Sequence, residues 1–191
     1  MTPVVGVLGL QGAVEPHCRA LKECGAEPRI VRKPEEIAAC DALIIPGGES
    51  TTMGILMERL GLRQALLDHV HAGKPTFGTC AGMILMAKEI VGSDQPRLGV
   101  MDVRVVRNSF GRQVDSFEAD IPVPSLGEPP FHAVFIRAPH IESVGPEVEV
   151  LATLDDRIVL AQQGPLLAAA FHPELTEDRR IHNYFLELLN K

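Results

Sequence analysis

The segment Gly78-Thr79-Cys80-Ala81-Gly82 places a thiol between two glycines, after a short apolar run and before a helix-like segment. This is the G-x-S-x-G nucleophile-elbow pattern with cysteine in place of serine. A sharp turn of this kind needs neighbours without bulk, so that the nucleophile projects from the sheet. The following helix directs its N-terminus at the thiol and favours the thiolate. The pattern predicts Cys80 as a nucleophile and the Ala81 N–H as an oxyanion donor.

The segment Phe171-His172-Pro173-Glu174 offers a base and a carboxylate for that thiol. The residue before a proline favours extended backbone. In an extended chain, positions i and i+2 face the same side. We therefore expect Glu174 beside one ring nitrogen of His172, which leaves the other nitrogen free to take a proton from Cys80.

The remaining cysteines and histidines lack such a context. An isolated cysteine is more often a small buried core residue than a nucleophile, and this interpretation is kept for Cys18, Cys24 and Cys40. Solvated helix faces are expected for His17, His69, His71 and His182. His132 has no acid two residues after it. His140 has Glu142 at that spacing and is the rival to His172, although nothing else near it resembles a catalytic turn.

A second glycine loop, Pro46-Gly47-Gly48-Glu49-Ser50, follows an apolar run and precedes a helix-like segment. Paired glycines let backbone N–H groups approach a ligand closely. A phosphate-binding loop is one interpretation, but the G-K-[ST] ending is missing. A plain tight turn is another, and it needs only one glycine. The favoured interpretation is a second oxyanion donor, the Gly48 N–H, opposite that of Ala81.

Composition limits the function classes. The chain has 191 residues, 46% hydrophobic and 23% charged, which is typical of a globular protein and long enough for a substantial core. The net charge of −7 disfavours nucleic-acid binding. No run approaches 18 apolar residues and the N-terminus lacks signal-peptide features, so no membrane span and a cytoplasmic location are expected. Four cysteines without C-x-x-C spacing favour reduced thiols, and no metal or cofactor is expected.

The elements that must position these residues follow from the hydrophobic pattern. In the first half, strands are predicted at 4–10, 28–32, 42–46 and 75–78. Helices are predicted at 13–24, 52–60, 62–72 and 81–90. Alternating strand-like segments then follow at 100–106, 114–121, 132–136, 149–153 and 157–162. An apolar strand at 166–171 and a helix at 177–189, with Thr176 as N-cap, complete the chain.

This order predicts one α/β domain spanning residues 1–191. It has three layers, α/β/α, around a mostly parallel central sheet, with an antiparallel β excursion in the second half.

Taken together, these motifs resemble the class I (triad) glutamine amidotransferases. Within that class the chain is similar to the glutaminase subunits of two-component pyridoxal 5′-phosphate synthases. The resemblance rests on VLGLQGAVEPH, LIIPGGESTT, GTCAG, RNSFGRQVDSFEAD, FIRAPHI and AAFHPELTEDRRIHNYF, which together span nearly the whole chain. PGGEST, RNSFGRQ and FHPELT are far more specific than the elbow alone.

The resemblance implies hydrolysis of L-glutamine to glutamate and ammonia by a Cys-His-Glu triad. It implies a partner, a synthase subunit of the PdxS type, that consumes the ammonia within a large hetero-oligomer. Gln11 would face that partner. The resemblance also assigns residues to the glutamine site: Gly47, Gly48, Glu49, Arg107, Ile136 and Arg137.

Two other interpretations remain open. A PfpI-like peptidase or aldehyde-handling enzyme has an elbow cysteine on a similar sheet, but does not account for the H-P-E and R-N-S-F-G-R-Q segments. A noncatalytic subunit that senses glutamine has no need for an intact Cys, His and Glu set. Ammonia release from glutamine distinguishes the three.

Overall fold

The computed structural model describes residues 1–111 and 115–191. Within these ranges the strands are β1 (Val4–Leu8), β2 (Glu27–Val31), β3 (Ala42–Ile45), β4 (Thr76–Thr79), β5 (Ala87–Ile90), β6 (Met101–Val106), β7 (Ser116–Ile121), β8 (Phe131–Ile136), β9 (His140–Val144), β10 (Glu149–Leu154), β11 (Arg157–Gln163) and β12 (Leu166–Ala169). The α-helices are α1 (Val14–Glu23), α2 (Pro34–Ala38), α3 (Ser50–Arg59), α4 (Arg63–His71), α5 (Ala81–Met86) and α6 (Arg180–Glu187). Short 3-10 turns cover Pro124–Leu126, Pro173–Leu175 and Leu188–Asn190.

Ten strands form one mixed sheet in the order β2-β1-β3-β4-β12-β11-β9-β6-β5, with β10 paired to β11. The strands from β2 to β12 in this order are parallel neighbours, whereas β11 pairs antiparallel with β9, β10 and β12. Strands β7 and β8 form a separate antiparallel pair. The predicted parallel sheet and antiparallel excursion are therefore confirmed.

The central strands explain why the core lies where it does. Every residue of β3, β4 and β12 is buried. A strand that is buried along its whole length fits a parallel sheet whose two faces are both covered by helices. The register then aligns the ends of these strands, because Ile45 pairs with Gly78 and Ala169 pairs with Thr79. The chain leaves β3, β4 and β12 at one edge, which is where parallel sheets place their ligands.

Two helix predictions need correction. The predicted helix 81–90 ends at Met86, and residues Ala87–Ile90 form β5, because the backbone turns extended at Ala87 and pairs with β6. The C-terminal helix begins at Arg180 rather than Glu177, with Arg179 as N-cap. Thr176 does not cap it, since its hydroxyl instead donates to the Pro173 carbonyl.

Other differences concern short or buried features. Helix α2 and strand β9 are present but were not predicted. The prediction of solvated faces is wrong for His17, His69 and His182, which are buried, and correct for the exposed His71. A helical pattern shows which face is apolar but does not show that another helix or strand covers the polar one.

The predicted strand 114–121 begins at Val114, which lies outside the described residues, as do Arg112 and Gln113 of the R-N-S-F-G-R-Q segment. Strand β7 confirms the part from Ser116 onward. None of the helices in the described ranges combines the length and the apolar character that crossing a bilayer requires.

Candidate functional site

Cys80 lies in the turn between β4 and α5 with φ of 50° and ψ of −105°. A positive φ is strained for a residue with a side chain, by about 1–3 kcal/mol, and such strain concentrates at functional sites. The turn is held by the Cys80 N–H, which donates to the Ala169 carbonyl at 2.8 Å. The thiol is 7% exposed, and its Sγ lies 3.8 Å from the Ile136 carbonyl oxygen.

The glycines of this turn are sterically required, as the sequence pattern predicts. A Cβ at Gly78 would stand 2.6 Å from the backbone carbon of Gly82. A Cβ at Gly82 would overlap the carbonyl oxygen of Ile45. Backbone atoms cannot move aside as side chains can, so the helix approaches the sheet this closely only with glycine at both positions.

His172 and Glu174 are in contact, as predicted. Nδ1–H of His172 donates to Oε1 of Glu174 at 2.6 Å, and both side chains are buried. The prediction that extended chain creates the contact is wrong, because Pro173–Leu175 forms a 3-10 turn. The backbone N–H of His172 donates to the backbone carbonyl of Val134 at 2.8 Å, and this hydrogen bond fixes the start of the turn against β8.

The charges of this pair support each other. Burial alone would lower the pKa of His172, but hydrogen bonds to Cys80 and Glu174 outweigh burial and raise the pKa to about 10. Burial would raise the pKa of Glu174, yet the facing His17 and the hydrogen-bonded His172 hold that pKa below its ordinary value. The arrangement therefore favours an imidazolium beside the Glu174 carboxylate, and such a cation can stabilise a thiolate nucleophile.

The rival histidine lacks this arrangement. His140 begins β9, and the carboxylate of Glu142 lies 3.3 Å from Nε of Arg104 on the neighbouring strand β6. Nδ1 of His140 is buried and has no hydrogen-bond partner among the described residues. The i+2 spacing that made His140 a candidate does not produce a histidine–carboxylate contact.

The second glycine loop packs directly against the histidine. A Cβ at Gly47 would stand 3.1 Å from Nδ1 of His172 and 3.4 Å from Cβ of Cys80. The Ala13 N–H donates to the Gly47 carbonyl at 3.0 Å. Because a trans peptide points its C=O and N–H in opposite directions, this contact turns the Gly48 N–H away from Ala13.

Gln11 and Glu49 connect this loop to the segment before α1. The Glu49 N–H donates to Oε1 of Gln11 at 2.7 Å. The Glu49 carboxylate accepts from the N–H groups of Thr51 and Thr52, at 3.2 and 2.6 Å, and thereby caps α3. Gln11 itself is exposed. The Gln11 side chain therefore lies against the PGGES loop.

A cavity of about 390 Å³ opens over these residues. Its size lies within the range of small-molecule sites and can hold an amino acid. Glu174 lies behind His172 and does not line it. All the other residues expected at the site do: Gln11, Gly47, Gly48, Glu49, Cys80, Ala81, Arg107, Ile136, Arg137 and His172.

A buried glutamine that the sequence did not reveal orients one of the cavity's arginines. Oε1 of Gln95 accepts from Nη1 of Arg107 at 2.7 Å, while its Nε2 donates to Oγ of Ser50 at 3.0 Å. Gln95 lies between β5 and β6, far in sequence from the motifs. Its place in the sequence carries no signal, since a lone glutamine outside a motif is most often a surface residue.

The described residues contain no group of three His, Cys, Asp or Glu side chains placed to hold a metal ion. The polar groups that line the cavity include a thiol, an imidazole, two arginines and backbone N–H groups, beside the polar residues Gln11, Glu49, Ser50 and Asn108. This set can attack a carbonyl carbon, move a proton and bind a carboxylate without a metal.

Comparison with known proteins gives a family. The model of the SNO glutamine amidotransferase family matches residues 7–191. The chain is 61% identical over 183 residues to the pyridoxal 5′-phosphate synthase subunit PdxT of Pelotomaculum thermopropionicum, covering 96% of this chain and 93% of that one. It is 57% identical to the subunit of the same name from Geobacillus thermodenitrificans, covering 98% and 95%.

Solved structures agree. A crystal structure of a glutamine amidotransferase superposes with a TM-score of 0.93 at 54% identity, covering 98% of this chain and 99% of that chain. A structure of PurLQS from Thermotoga maritima has a TM-score of 0.72 at 18% identity, with coverage of 99% and 100%, and shows the fold alone. The family model and the relatives cover nearly all of the chain, so this protein belongs to the SNO glutamine amidotransferase family.

Proposed function

We propose that this chain is the glutaminase subunit of a pyridoxal 5′-phosphate synthase, which hydrolyses L-glutamine to L-glutamate and ammonia. One observation carries the proposal: the strained Cys80 turn and the His172–Glu174 pair meet at a single cavity at the carboxyl edge of the sheet. The names of the relatives, at 61% and 57% identity, support the same function. The whole of residues 1–191 forms one catalytic domain in this proposal.

The reaction is acyl transfer. The Cys80 thiolate attacks the side-chain amide carbon, and the resulting oxyanion accepts hydrogen bonds from the N–H groups of Ala81 and Gly48. His172 protonates the departing ammonia, which leaves a glutamyl thioester on Cys80. The neutral imidazole then takes a proton from water, hydroxide cleaves the thioester, and glutamate leaves with the thiolate restored. Glu174 stabilises the imidazolium that is present when the thiolate attacks and that forms again when water is deprotonated.

Substrate binding falls to the arginines and the loops. Arg107, oriented by Gln95, binds the α-carboxylate of glutamine, for which a planar guanidinium is well shaped. Arg137 and the backbone at Ile136, Gly47 and Glu49 surround the rest of the ligand. The Glu49 carboxylate already caps α3, so Glu49 contributes its backbone to the cavity and its side chain to the shape of the loop.

The ammonia passes to a synthase subunit of the PdxS type in a hetero-oligomer. Ammonia released into neutral water becomes ammonium and loses its nucleophilicity, so direct transfer to a docked partner preserves it. Gln11 belongs to the partner-facing surface, since it is exposed and joined to the oxyanion loop through Glu49. All four cysteines are free thiols, which suits the reducing cytoplasm where we place the enzyme.

The test is ammonia release from glutamine by the chain together with a purified synthase subunit. The Cys80→Ala variant should release none, whereas Cys18→Ala, which removes a thiol that is also 7% exposed but lies in α1, should retain wild-type activity. Ammonia release by Cys80→Ala at the wild-type rate would refute the proposal. Glutamine binding without any ammonia release by the wild-type complex would indicate a sensing subunit.

A further inference from the structure

A cluster of buried polar side chains lies behind the His172–Glu174 pair and has no part in the mechanism above. It consists of His17 of α1, Thr79 of β4 and His182 of α6, each with no solvent exposure. Burying polar groups is costly unless they are paired. Three such groups lie in contact next to the Glu174 carboxylate, and the cost of burying them implies a compensating role.

His17 joins the members of this cluster to Glu174. Its Nε2 lies 3.4 Å from Oε2 of Glu174 and 3.1 Å from Oγ1 of Thr79. Its Nδ1 lies 3.0 Å from Nε2 of His182. Oε2 of Glu174 has no hydrogen bond of good geometry among the described residues. The His17 ring is thus the polar group facing the carboxylate oxygen that His172 leaves unused.

The hydrogen-bond partners indicate which tautomer His17 adopts. Nδ1 of His182 is buried and has no partner within the described ranges. If His17 donated from Nδ1 to Nε2 of His182, the proton of His182 would lie on its own Nδ1, which has no acceptor in the described part of the chain. The lone pair on Nε2 of His17 would then face the Glu174 carboxylate. If His182 donates from Nε2 instead, each N–H has an acceptor: Nε2–H of His17 donates to Oγ1 of Thr79, and Oε2 of Glu174 lies 3.4 Å from the same nitrogen.

His17 acts through this N–H rather than through a positive charge. Burial lowers the pKa of His17 more than the Glu174 carboxylate raises it, and His172 lowers it further. Burial also lowers the pKa of His182 well below its ordinary value, helped by His17 and Arg179. The titratable groups that face His17 are Glu174 and His172, near the 3-10 turn, and His182 on α6. Because both pKa values are lowered, His17 and His182 are neutral at pH 7.

Resting on the proposed glutaminase function, we propose that His17 is a positioning residue whose Nε2–H holds Oε2 of Glu174, so that Oε1 stays directed at Nδ1 of His172. The carboxylate is then held from both sides. A polar N–H close to the charged form of a buried carboxyl also favours its ionised state. His182 sets the tautomer of His17 and so acts one step further from the reaction.

Packing alone would not require histidine here. Phe77 lies edge-on to both rings, at centroid distances of 6.4 Å from His17 and 6.2 Å from His182. Leucine would fill this apolar surround with less desolvation cost than imidazole. The presence of an N–H facing the free carboxylate oxygen distinguishes the positioning role from a packing role.

The experiment compares three variants in the complete complex with the synthase subunit. His17→Gln can place its amide N–H near the position of Nε2, His17→Asn reaches only near Nδ1, and His17→Leu removes the donor. We expect His17→Gln to keep kcat within about threefold of wild type, and His17→Asn and His17→Leu to lose about tenfold or more, with KM for glutamine little changed. The acidic limb of the pH–rate profile should move to higher pH by about one unit in His17→Leu.

His69→Leu is the matched control, because His69 is also a buried helical histidine but lies on α4, with Nε2 3.4 Å from the Pro75 carbonyl. It should lower thermal stability without lowering kcat. Should His17→Leu fail to fold, the Gln and Asn pair decides the question. Equal kcat in Gln and Asn, or an unmoved pH profile with full activity in Leu, would overturn the role of His17. Either result would leave the Cys80 dependence, and so the proposed function, intact.

Discussion

Replacing Glu174 with glutamine tests how the site stabilises its imidazolium. The pKa of His172 rises from 6.5 to about 10, which corresponds to about 5 kcal/mol of preference for the charged ring. With the rise divided equally between Cys80 and Glu174, the part due to Glu174 is ~2.5 kcal/mol, which corresponds to about a 70-fold fall in kcat when the carboxylate is neutralised. The amide also turns an NH₂ group toward His172 or toward His17.

The assay is ammonia release coupled to NADPH consumption by glutamate dehydrogenase, with the synthase subunit saturating. Glu177→Gln is the matched control, because it makes the same chemical change on an exposed side chain three residues further on. It should leave kcat unchanged. A kcat for Glu174→Gln within threefold of wild type would show that Glu174 does not stabilise the His172 imidazolium. Glu174 would then have no role in the mechanism.

Further predictions follow from other contacts. Gln95→Leu removes the acceptor that orients Arg107 and should raise KM for glutamine about tenfold with kcat nearly constant. A fall in kcat at constant KM would contradict this in steady-state kinetics. Gly47→Ala should abolish ammonia release while changing the Tm little, because its methyl displaces the His172 ring. Retained activity would show that the Gly47 loop moves and that the His172 ring keeps its place. The raised pKa of His172 contributes stability that is complete below pH 6.5 and is lost as pH rises through about 10. Urea unfolding should record this loss in the wild type and not in His172→Gln, and parallel curves would contradict it.

The dependence on a partner is also testable. The contacts from Gln11 to Glu49 and from Ala13 to Gly47 connect an exposed segment to the oxyanion loop. A partner that binds this segment can therefore alter the loop, and we expect the synthase subunit to raise the glutaminase rate. Equal rates with and without the synthase would contradict this expectation.

The nucleophile turn and the histidine–glutamate contact were predictable from sequence because each depends on local backbone. Gly78 and Gly82 flank Cys80 at fixed spacing, and Pro173 restricts the residue before it. The parallel sheet was also predictable, because β3 and β12 are apolar throughout. Local chain geometry fixed these features, although the 3-10 turn at Pro173 replaced the extended chain that was expected.

The features that escaped prediction depend on contacts between distant parts of the chain. His17 meets Glu174 across 157 positions only after α1 packs against the Pro173–Leu175 turn. Gln95, in the segment between β5 and β6, contacts Arg107 at the end of β6, 12 positions away. Thr176 has the residue type of an N-cap, but a carbonyl of the preceding turn takes its hydroxyl. Residue type alone does not decide among partners that folding brings together.

In the proposed reaction Cys80 carries the glutamyl group. Peptide mapping by mass spectrometry tests this most directly, after treatment of the complex with 6-diazo-5-oxo-L-norleucine, a glutamine-shaped alkylating agent, with excess glutamine as competitor. We expect a single adduct on Cys80, loss of ammonia release in proportion to labelling, and protection by glutamine. Labelling of Cys18, Cys24 or Cys40 in its place, or full activity after stoichiometric labelling of Cys80, would contradict it.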